Sequence, residues 1–265
     1  KQDLFRTDRI EKNIAGKMKL KDKVCIVTGA TSGMGKAIAE SFSSEGAKLI
    51  LSGRNQESGK ALENGLNNAL FVPGDVTDPS YNKKLVQTAM ETHGKLDILS
   101  LNAGILGLGN VQELSIDSWR NTIDTNLSSI FYLCKHALPQ LQKQPQGNIL
   151  INASIAAFKS FPNHPAYCAS KAASVALMKQ VAVDYAPKIR VNAICPGPVD
   201  TPLLWESAQA FENPDTAVEN AKRTTLLKRL GAPEDIAKLV LFLVSEDSSW
   251  ITGTTVTIDG GIINT

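Results

Sequence analysis

Cysteine and histidine are scarce in this sequence, which has four and three of them among 265 residues. The cysteines include no C-x-x-C pair, and the histidines have no spacing typical of metal ligands. They are Cys25, Cys134, Cys168, Cys195, His93, His136 and His164. Because zinc sites and disulfide frameworks need such clusters, we predict no metal site and no disulfide, and a reducing compartment.

Long apolar runs and a strong net charge are also missing. No segment approaches the ~20 apolar residues that cross a bilayer, and the first residues lack the apolar stretch of a secretory signal. The net charge is +2, and residues 1–23 hold eight basic and four acidic side chains. The remaining chain therefore carries 20 basic against 22 acidic residues, or −2. We expect a cytoplasmic protein with neither a membrane nor a nucleic-acid partner.

The composition gives no sign of a second domain. Hydrophobic residues make up 43% and charged residues 20%, as in ordinary globular proteins, and no repeat or low-complexity tract is present. We predict one domain over residues 18–265. Residues 1–17, which precede Met18, are either a vector-derived leader or a short native arm.

Seven short apolar segments alternate with segments of helix length. They are KVCIVTG (23–29), AKLILSG (47–53), NALFVPGD (68–75), LDILSLNAG (96–104), GNILINAS (147–154), IRVNAICPG (189–197) and TTVTIDGG (254–261). Continuous apolar strands separated by helices are typical of a parallel sheet that is covered on both faces. The pattern predicts an α/β fold of the doubly wound, Rossmann type, with seven parallel strands.

Two helix starts and one long connection are also visible. Ser115 is a suitable cap for a helix that begins at Ile116, and Pro233 with the two acids after it suits a first helical turn. Residues 198–232 form an unusually long link between a strand and the next helix. Since long inserts at the carboxyl edge of a sheet often cover a ligand, we predict that this segment, the insert, covers the substrate.

A glycine-rich stretch, TGATSGMG (28–35), follows the first strand directly and opens a helix. Gly29 allows a sharp turn, Gly33 lets a pyrophosphate approach the backbone, and Gly35 permits close helix packing. The first N–H groups of the helix favour bound phosphate. The stretch therefore predicts a dinucleotide site.

The end of the second strand, LSGRN (51–55), indicates which dinucleotide binds. An NAD site usually has an acidic residue about 20 positions after the glycines. Here Gly53 takes that place and Arg54 follows, and a guanidinium suits a 2′-phosphate. We predict a preference for NADP(H), with NAD(H) still possible if Arg54 is only a solvated loop charge.

Tyr167 and Lys171 lie four residues apart in AYCASKAAS (166–174). On a helix this spacing brings both side chains to one face. Such a pair is common by chance, but Ser154 follows a strand thirteen residues before Tyr167 and the phosphate cradle lies upstream. Together these features favour a catalytic role for the pair.

Residues 18–265 resemble the short-chain dehydrogenase/reductase family, and in particular members similar to 3-oxoacyl-acyl-carrier-protein reductase. TGATSGMG is similar to the family's T-G-x3-G-x-G motif, and LNAG to its N-N-A-G motif, although Leu101 stands where the family more often has asparagine. Ser154 with Tyr167-x3-Lys171 resembles its catalytic set. PG (196–197), ITG and DGG complete the ordered series.

The resemblance implies hydride transfer between nicotinamide C4 and a carbonyl carbon. Tyr167 would be the general acid in reduction and the base in oxidation, with its pKa lowered by the Lys171 ammonium and by the positive nicotinamide. Lys171 would also bind the nicotinamide ribose, Ser154 the substrate oxygen, and Asn126 a water that leads to Lys171. The other cofactor contacts implied are Thr31, Ser32, Met34, Asp75, Val76, Asn102, Ala103, Gly104, Pro196, Gly197, Val199 and Thr201.

The candidate substrate residues beside Ser154 are apolar. They are Leu106, Leu108, Ile155, Phe158, Leu203, Leu204 and Trp205. An apolar wall suits an acyl chain or a cyclic ketone, which favours a 3-oxoacyl-thioester reductase or a general carbonyl reductase. The alternatives are a cyclic secondary-alcohol dehydrogenase, a glucose-type sugar dehydrogenase, and a catalytically silent dinucleotide-binding regulatory protein. The resemblance also implies a homotetramer built from the helices around 115–144 and 163–186 and the C-terminal strand.

Overall fold

Seven parallel strands form one sheet in the computed structural model, which describes residues 18–265; the predicted leader or arm at 1–17 lies outside the described residues. The strands are β1 (Val24–Thr28), β2 (Lys48–Gly53), β3 (Ala69–Pro73), β4 (Ile98–Leu101), β5 (Gly147–Asn152), β6 (Ile189–Pro196) and β7 (Thr255–Ile258). Each lies within a segment that the sequence predicted as a strand. The predicted fold class is confirmed.

The strand order, β3-β2-β1-β4-β5-β6-β7, shows how the chain winds. From β1 it proceeds outward to β3, and it then returns to the other side of β1 to add β4 and the later strands. The gap between the carboxyl ends of β1 and β4 is therefore the switch point of the sheet. Ligands of doubly wound folds bind at this place.

Helices cover both faces of the sheet. They are α1 (Gly33–Ser44), α2 (Gln56–Gly65), α3 (Pro79–His93), α4 (Ile116–Ile123), α5 (Ser129–Leu141), α6 (Pro165–Tyr185), α7 (Pro202–Ala208), α8 (Pro214–Thr224) and α9 (Pro233–Val244). Both predicted starts are confirmed: the Ser115 side chain accepts a hydrogen bond from the Ser118 N–H at 3.1 Å, and α9 begins at Pro233. Within residues 18–265, no helix has the length and apolarity needed to cross a membrane.

Two separate cores form because successive strand residues point to opposite faces. Val24 and Ile26 of β1 pack with α3, α5 and α6, whereas Cys25 and Val27 pack with α1 and α9. All four side chains are fully buried. In a strand that is buried on both faces, no residue faces solvent, so polar residues do not alternate with apolar ones. This explains the continuous apolar runs in the sequence.

The insert, residues 198–232, contains two helices, α7 and α8, where the sequence predicted only a long connection. Its two ends lie side by side beyond β6. The Asp200 N–H donates to the Gly231 carbonyl at 2.9 Å, and the Gly231 N–H donates to the Pro198 carbonyl at 2.9 Å. The insert is therefore closed at its base and extends over the carboxyl edge of the sheet.

Candidate active site

A cleft of about 190 Å³, the cofactor cleft, opens at the carboxyl ends of β1, β2, β3 and β4. It lies at the switch point of the sheet. The predicted cofactor residues that line it are Gly29, Thr31, Ser32, Gly33, Met34, Gly35, Arg54, Asp75, Val76, Asn102, Ala103, Gly104 and Thr201. The structure thus brings together residues from the glycine-rich stretch, three strand ends and the insert.

The glycine-rich turn has the shape that a pyrophosphate needs. Gly29 has a φ of 62° and Gly33 a φ of 51°, a left-handed conformation that favours glycine. A Cβ on Gly35 would lie 2.2 Å from the Gly29 carbonyl oxygen, so α1 packs against the turn without room for a side chain. Ser32 caps α1 without a side-chain hydrogen bond, which leaves the first N–H groups of the helix to a ligand. These residues fit a bound dinucleotide.

Arg54 is exposed and lines the same cleft as Thr31 and Ser32. Gly53, beside it, has no room for a side chain, because a Cβ there would lie 2.5 Å from the Thr31 methyl group. An acid that binds a ribose 2′-hydroxyl therefore cannot occupy this position unless Thr31 moves.

A second cavity of about 300 Å³, the substrate cavity, adjoins the cofactor cleft. Ser154 and Tyr167 form part of its wall. Met34, Thr201 and Leu203 line both spaces, so the cleft and the cavity meet there. Pro196, Gly197 and Val199, predicted as cofactor contacts, line the substrate cavity.

Tyr167 and Lys171 share one face of α6, as their spacing predicts. The Lys171 Nζ atom lies 5.5 Å from the centre of the Tyr167 ring and donates a hydrogen bond to the Asn152 carbonyl at 2.8 Å. Lys171 is 5% exposed. The end of β5 therefore holds the lysine beneath the tyrosine.

Asn126 lies behind this pair, in a π-helical turn (Asp124–Ser128) between α4 and α5. Its side chain accepts from the Ile105 N–H at 2.8 Å and donates to the Ile105 carbonyl and the Ser170 hydroxyl at 2.9 Å each. π-helical turns often occur at functional sites. This one connects the loop after β4 to the helix that carries Tyr167 and Lys171.

Comparison with known proteins identifies the family. A family model described as Enoyl-(Acyl carrier protein) reductase matches residues 29–263. The chain belongs to the short-chain dehydrogenase/reductase family. It is accordingly an oxidoreductase of the CH–OH/C=O type that binds a nicotinamide dinucleotide and acts on small molecules.

Several family members are similar over almost the whole chain. A 3beta-hydroxysteroid dehydrogenase from Mediterraneibacter gnavus is 38% identical over 262 residues, which cover 91% of this chain and 94% of the relative. The 3-oxoacyl-(acyl-carrier-protein) reductase FabG from Thermotoga maritima is 34% identical over 254 residues, 93% of this chain and 100% of the relative. The solved structure of Thermoplasma acidophilum aldohexose dehydrogenase has a TM-score of 0.86 at 34% identity, and the match covers 94% and 97% of the two chains.

Burial has the largest effect on the pKa values of Tyr167 and Lys171. It raises the pKa of Tyr167 to about 12, and the nearby Ser154 hydroxyl acts in the opposite direction. Burial also lowers the pKa of Lys171 to about 8. The net shift of the Tyr167 pKa is therefore upward in the protein's own groups, because burial outweighs the effect of Ser154. That Lys171 and the nicotinamide lower this pKa in the complex stays a prediction. The positive charge of an oxidised nicotinamide would favour the phenolate.

Alcohol oxidation is expected to become faster as the pH rises from neutral, whereas ketone reduction should change little. As a base Tyr167 must be deprotonated, and because burial raises its pKa to about 12, the deprotonated fraction grows with each pH unit. As an acid it must be protonated, which it is throughout this range. Initial rates in both directions, at constant ionic strength, test this. An oxidation rate that does not depend on pH would contradict the role predicted for Tyr167.

The structure does not bring all predicted pocket residues together. Leu106, Ile155, Leu203 and Leu204 line the substrate cavity, but Leu108, Phe158 and Trp205 do not. Phe158 is 53% exposed, and Trp205 is 42% exposed with its indole N–H donating to Asp200 at 2.9 Å. Sequence reasoning missed several lining residues. These include Phe161, His164, Ser207, Phe211, Val218 and Ile262.

Proposed function

We propose that this family member is an NADP(H)-dependent carbonyl reductase that reduces bulky, uncharged ketones and oxidises the corresponding secondary alcohols. The observation that carries the proposal is the chemistry of the substrate cavity. Among residues 18–265, no Asp, Glu, Lys or Arg side chain lines it. A charged substrate would lose its hydration there without gaining a counter-charge, which is costly. A dicarboxylate is therefore disfavoured.

The polar groups of the cavity wall fit one carbonyl better than a sugar. Ser154 and Tyr167 lie at the reacting end, and His164 and Ser207 already pair with each other at 2.8 Å. A sugar would need a partner for each hydroxyl, because unpaired buried hydroxyls cost free energy. Asn220, which is exposed on α8, also lines the cavity and offers a contact for one distant polar group.

The apolar part of the wall comes from several segments, which favours a broad ring system. Its members include Leu106, Ile155, Phe161, Leu203, Leu204, Ala208, Phe211, Val218 and Ile262. A 3-oxoacyl thioester is the second candidate substrate, because the FabG relative matches over its whole length. A silent regulatory protein is disfavoured, since Asn126, Ser154, Tyr167 and Lys171 are all present.

Steady-state turnover of a substrate panel tests the proposal. The panel contains a 3-keto steroid, a monocyclic diketone, a 3-oxoacyl thioester, and glucose in the oxidative direction, each with NADP(H) and with NAD(H). We expect the highest kcat/KM with a neutral cyclic ketone. A clear preference for the thioester would support the acyl candidate instead. A clear preference for glucose would contradict the argument from the cavity wall.

The cofactor proposal rests on Arg54. The variant Arg54→Ala is expected to weaken NADPH binding by about 10- to 100-fold, the size of a lost charge-assisted hydrogen bond, and to leave NADH binding unchanged. Arg120→Ala is the control, because Arg120 is an exposed arginine that does not line the cleft. Fluorescence titration gives both dissociation constants. An equal loss of affinity for NADPH and for NADH would show that Arg54 does not bind the 2′-phosphate.

The homotetramer and the cytoplasmic location are further parts of this proposal. Exposed apolar side chains occur on or near the elements predicted to assemble: Phe131 on α5 is 51% exposed, Val183 on α6 77%, and Trp250 before β7 99%. Such residues are typical of subunit contacts when they form larger patches. Light scattering measures the assembly, and a mass near one subunit would contradict it. The four cysteines, all free, are compatible with a reducing compartment.

A further inference from the structure

His164 occupies the junction between the catalytic helix and the insert. It immediately precedes α6, three residues before Tyr167, and is 3% exposed. Its Nδ1 atom lies 2.6 Å from the Pro162 carbonyl oxygen, and its Nε2 atom lies 2.8 Å from the Ser207 hydroxyl on α7. Since a carbonyl only accepts, Nδ1 carries the hydrogen, and in the tautomer of the neutral imidazole that this requires, Nε2 accepts from Ser207. The imidazole therefore joins two segments that are 43 residues apart.

Asn163 adds a second connection at the same place. It has a φ of 60°, a left-handed conformation that asparagine adopts more readily than most residues. Its side chain donates to the Ala210 carbonyl, just after α7, at 3.2 Å. Its own carbonyl accepts from the Gly109 N–H at 3.0 Å. The loop before α6 is thus bound to the insert on one side and to the loop after β4 on the other.

These two contacts are the side-chain hydrogen bonds that connect the loop before α6 to the insert within residues 18–265. Helix α7 is short, spanning Pro202–Ala208, and Ala208 is its buried residue. A helix with so little buried surface depends on tertiary contacts for its position. His164, Ser207 and Ala208 all line the substrate cavity. The position of α7 consequently determines the shape of that cavity.

We infer that His164 is a positioning residue: its hydrogen bond to Ser207 attaches the insert to the start of the helix that carries Tyr167 and so fixes the part of the substrate-cavity wall that α7 forms. This inference rests on the proposed function only in taking that cavity as the substrate site. His164 also packs edge-on against the Tyr167 ring, with ring centres 6.3 Å apart and planes at 71°. Its ring and its Nε2 atom therefore have separable roles.

Three variants separate these roles. His164→Phe keeps a flat ring beside Tyr167 but cannot accept from Ser207, and Ser207→Ala removes the partner while leaving the imidazole. His164→Gln replaces the ring but places an amide oxygen near the position of Nε2. Ser44→Ala, which alters a serine at the end of α1 far along the chain from the cavity, is the matched control. All variants use the full chain.

The first readout is hydrogen exchange of the amides in 202–208, and the second is steady-state kinetics with the best ketone of the panel. We expect His164→Phe and Ser207→Ala to increase exchange in 202–208 and to raise KM by about five- to tenfold, the effect of one buried hydrogen bond. The kcat value and NADPH binding should stay within about twofold, which is within the spread of such measurements. The combined variant should be no worse than either single variant. His164→Gln should restore KM.

Two results would overturn the inference. One is unchanged exchange in 202–208 in both His164→Phe and Ser207→Ala, which would mean that the contact does not hold α7. The other is exchange that increases equally in the sheet and in α7, with no rescue by His164→Gln, which would make His164 a general core residue. If no ketone turns over, the proposed function fails, but the exchange experiment still decides the role of His164.

Discussion

Tyr167→Phe is expected to lower kcat/KM for ketone reduction by about 10²- to 10⁴-fold, the usual contribution of a general acid, while NADPH binding is retained. The change removes one oxygen atom and keeps the ring, so the contacts with His164 and Lys171 remain. Without that oxygen, the alkoxide would lose its predicted proton donor and would keep only the Ser154 hydroxyl as a hydrogen-bond partner. The loss should therefore appear in kcat rather than in cofactor affinity.

Tyr185→Phe is a matched control for this prediction. Tyr185 is the last residue of α6, so the control removes a phenol oxygen from the same helix, away from the cavity. Initial rates measure activity, and fluorescence titration measures NADPH binding. If Tyr167→Phe kept activity within about tenfold, less than a general acid usually contributes, another group would have to supply the proton. Loss of NADPH binding in parallel would indicate a folding defect instead.

Gly35→Ala is expected to abolish most cofactor binding and to lower the free energy of unfolding by about 1–3 kcal/mol, the usual cost of overpacking. The added Cβ would lie 2.2 Å from the Gly29 carbonyl oxygen, which belongs to the backbone and cannot rotate away. Either α1 must move outward or the turn must open. Both changes displace the N–H groups that are available to the phosphates.

Gly65→Ala provides the comparison, because nothing lies within 4 Å of a Cβ added at the end of α2. This change should leave cofactor binding intact and alter stability by no more than about 1 kcal/mol, in the stabilising direction. Urea unfolding and NADPH titration measure both quantities. If Gly35→Ala bound NADPH normally, close packing of α1 on the turn would not be what positions the phosphates.

Most of the fold could be predicted from the sequence, because short local patterns indicate its strands and its glycine-rich turn. The strands are mostly buried on both faces and therefore appear as apolar runs. Each glycine of TGATSGMG occupies a position in one turn where a side chain would be strained or would clash. The helices of the insert were missed although Pro202 and Pro214 begin them. Ala208 is the buried residue of α7 and Val218 that of α8, so neither helix has the repeated buried apolar positions that identify a helix from its sequence.

The rest of the site depended on contacts between distant residues. Trp205 has the apolar character of a pocket residue, but the hydrogen bond of its indole to Asp200 holds it at the surface. His164 acquires its contact only when Ser207 is brought to it from the insert. The spacing of Tyr167 and Lys171 predicted their proximity, whereas their pKa values depend on how deeply the fold buries them. Spacing along one helix contains no information about that burial.

The closed base of the insert has a consequence for engineering. Because Val199 and Gly231 are paired where the insert leaves and rejoins the sheet, the two junctions of a transplanted segment would lie next to each other. Replacing a segment whose ends already meet adds little loop-closure entropy. The insert is therefore a natural cassette for chimaeras with related enzymes, which would exchange the substrate wall while retaining the machinery for hydride transfer. The transplanted insert must also supply hydrogen-bond partners for Asn163 and His164. A chimaera therefore needs an insert whose contacts with these two residues are preserved.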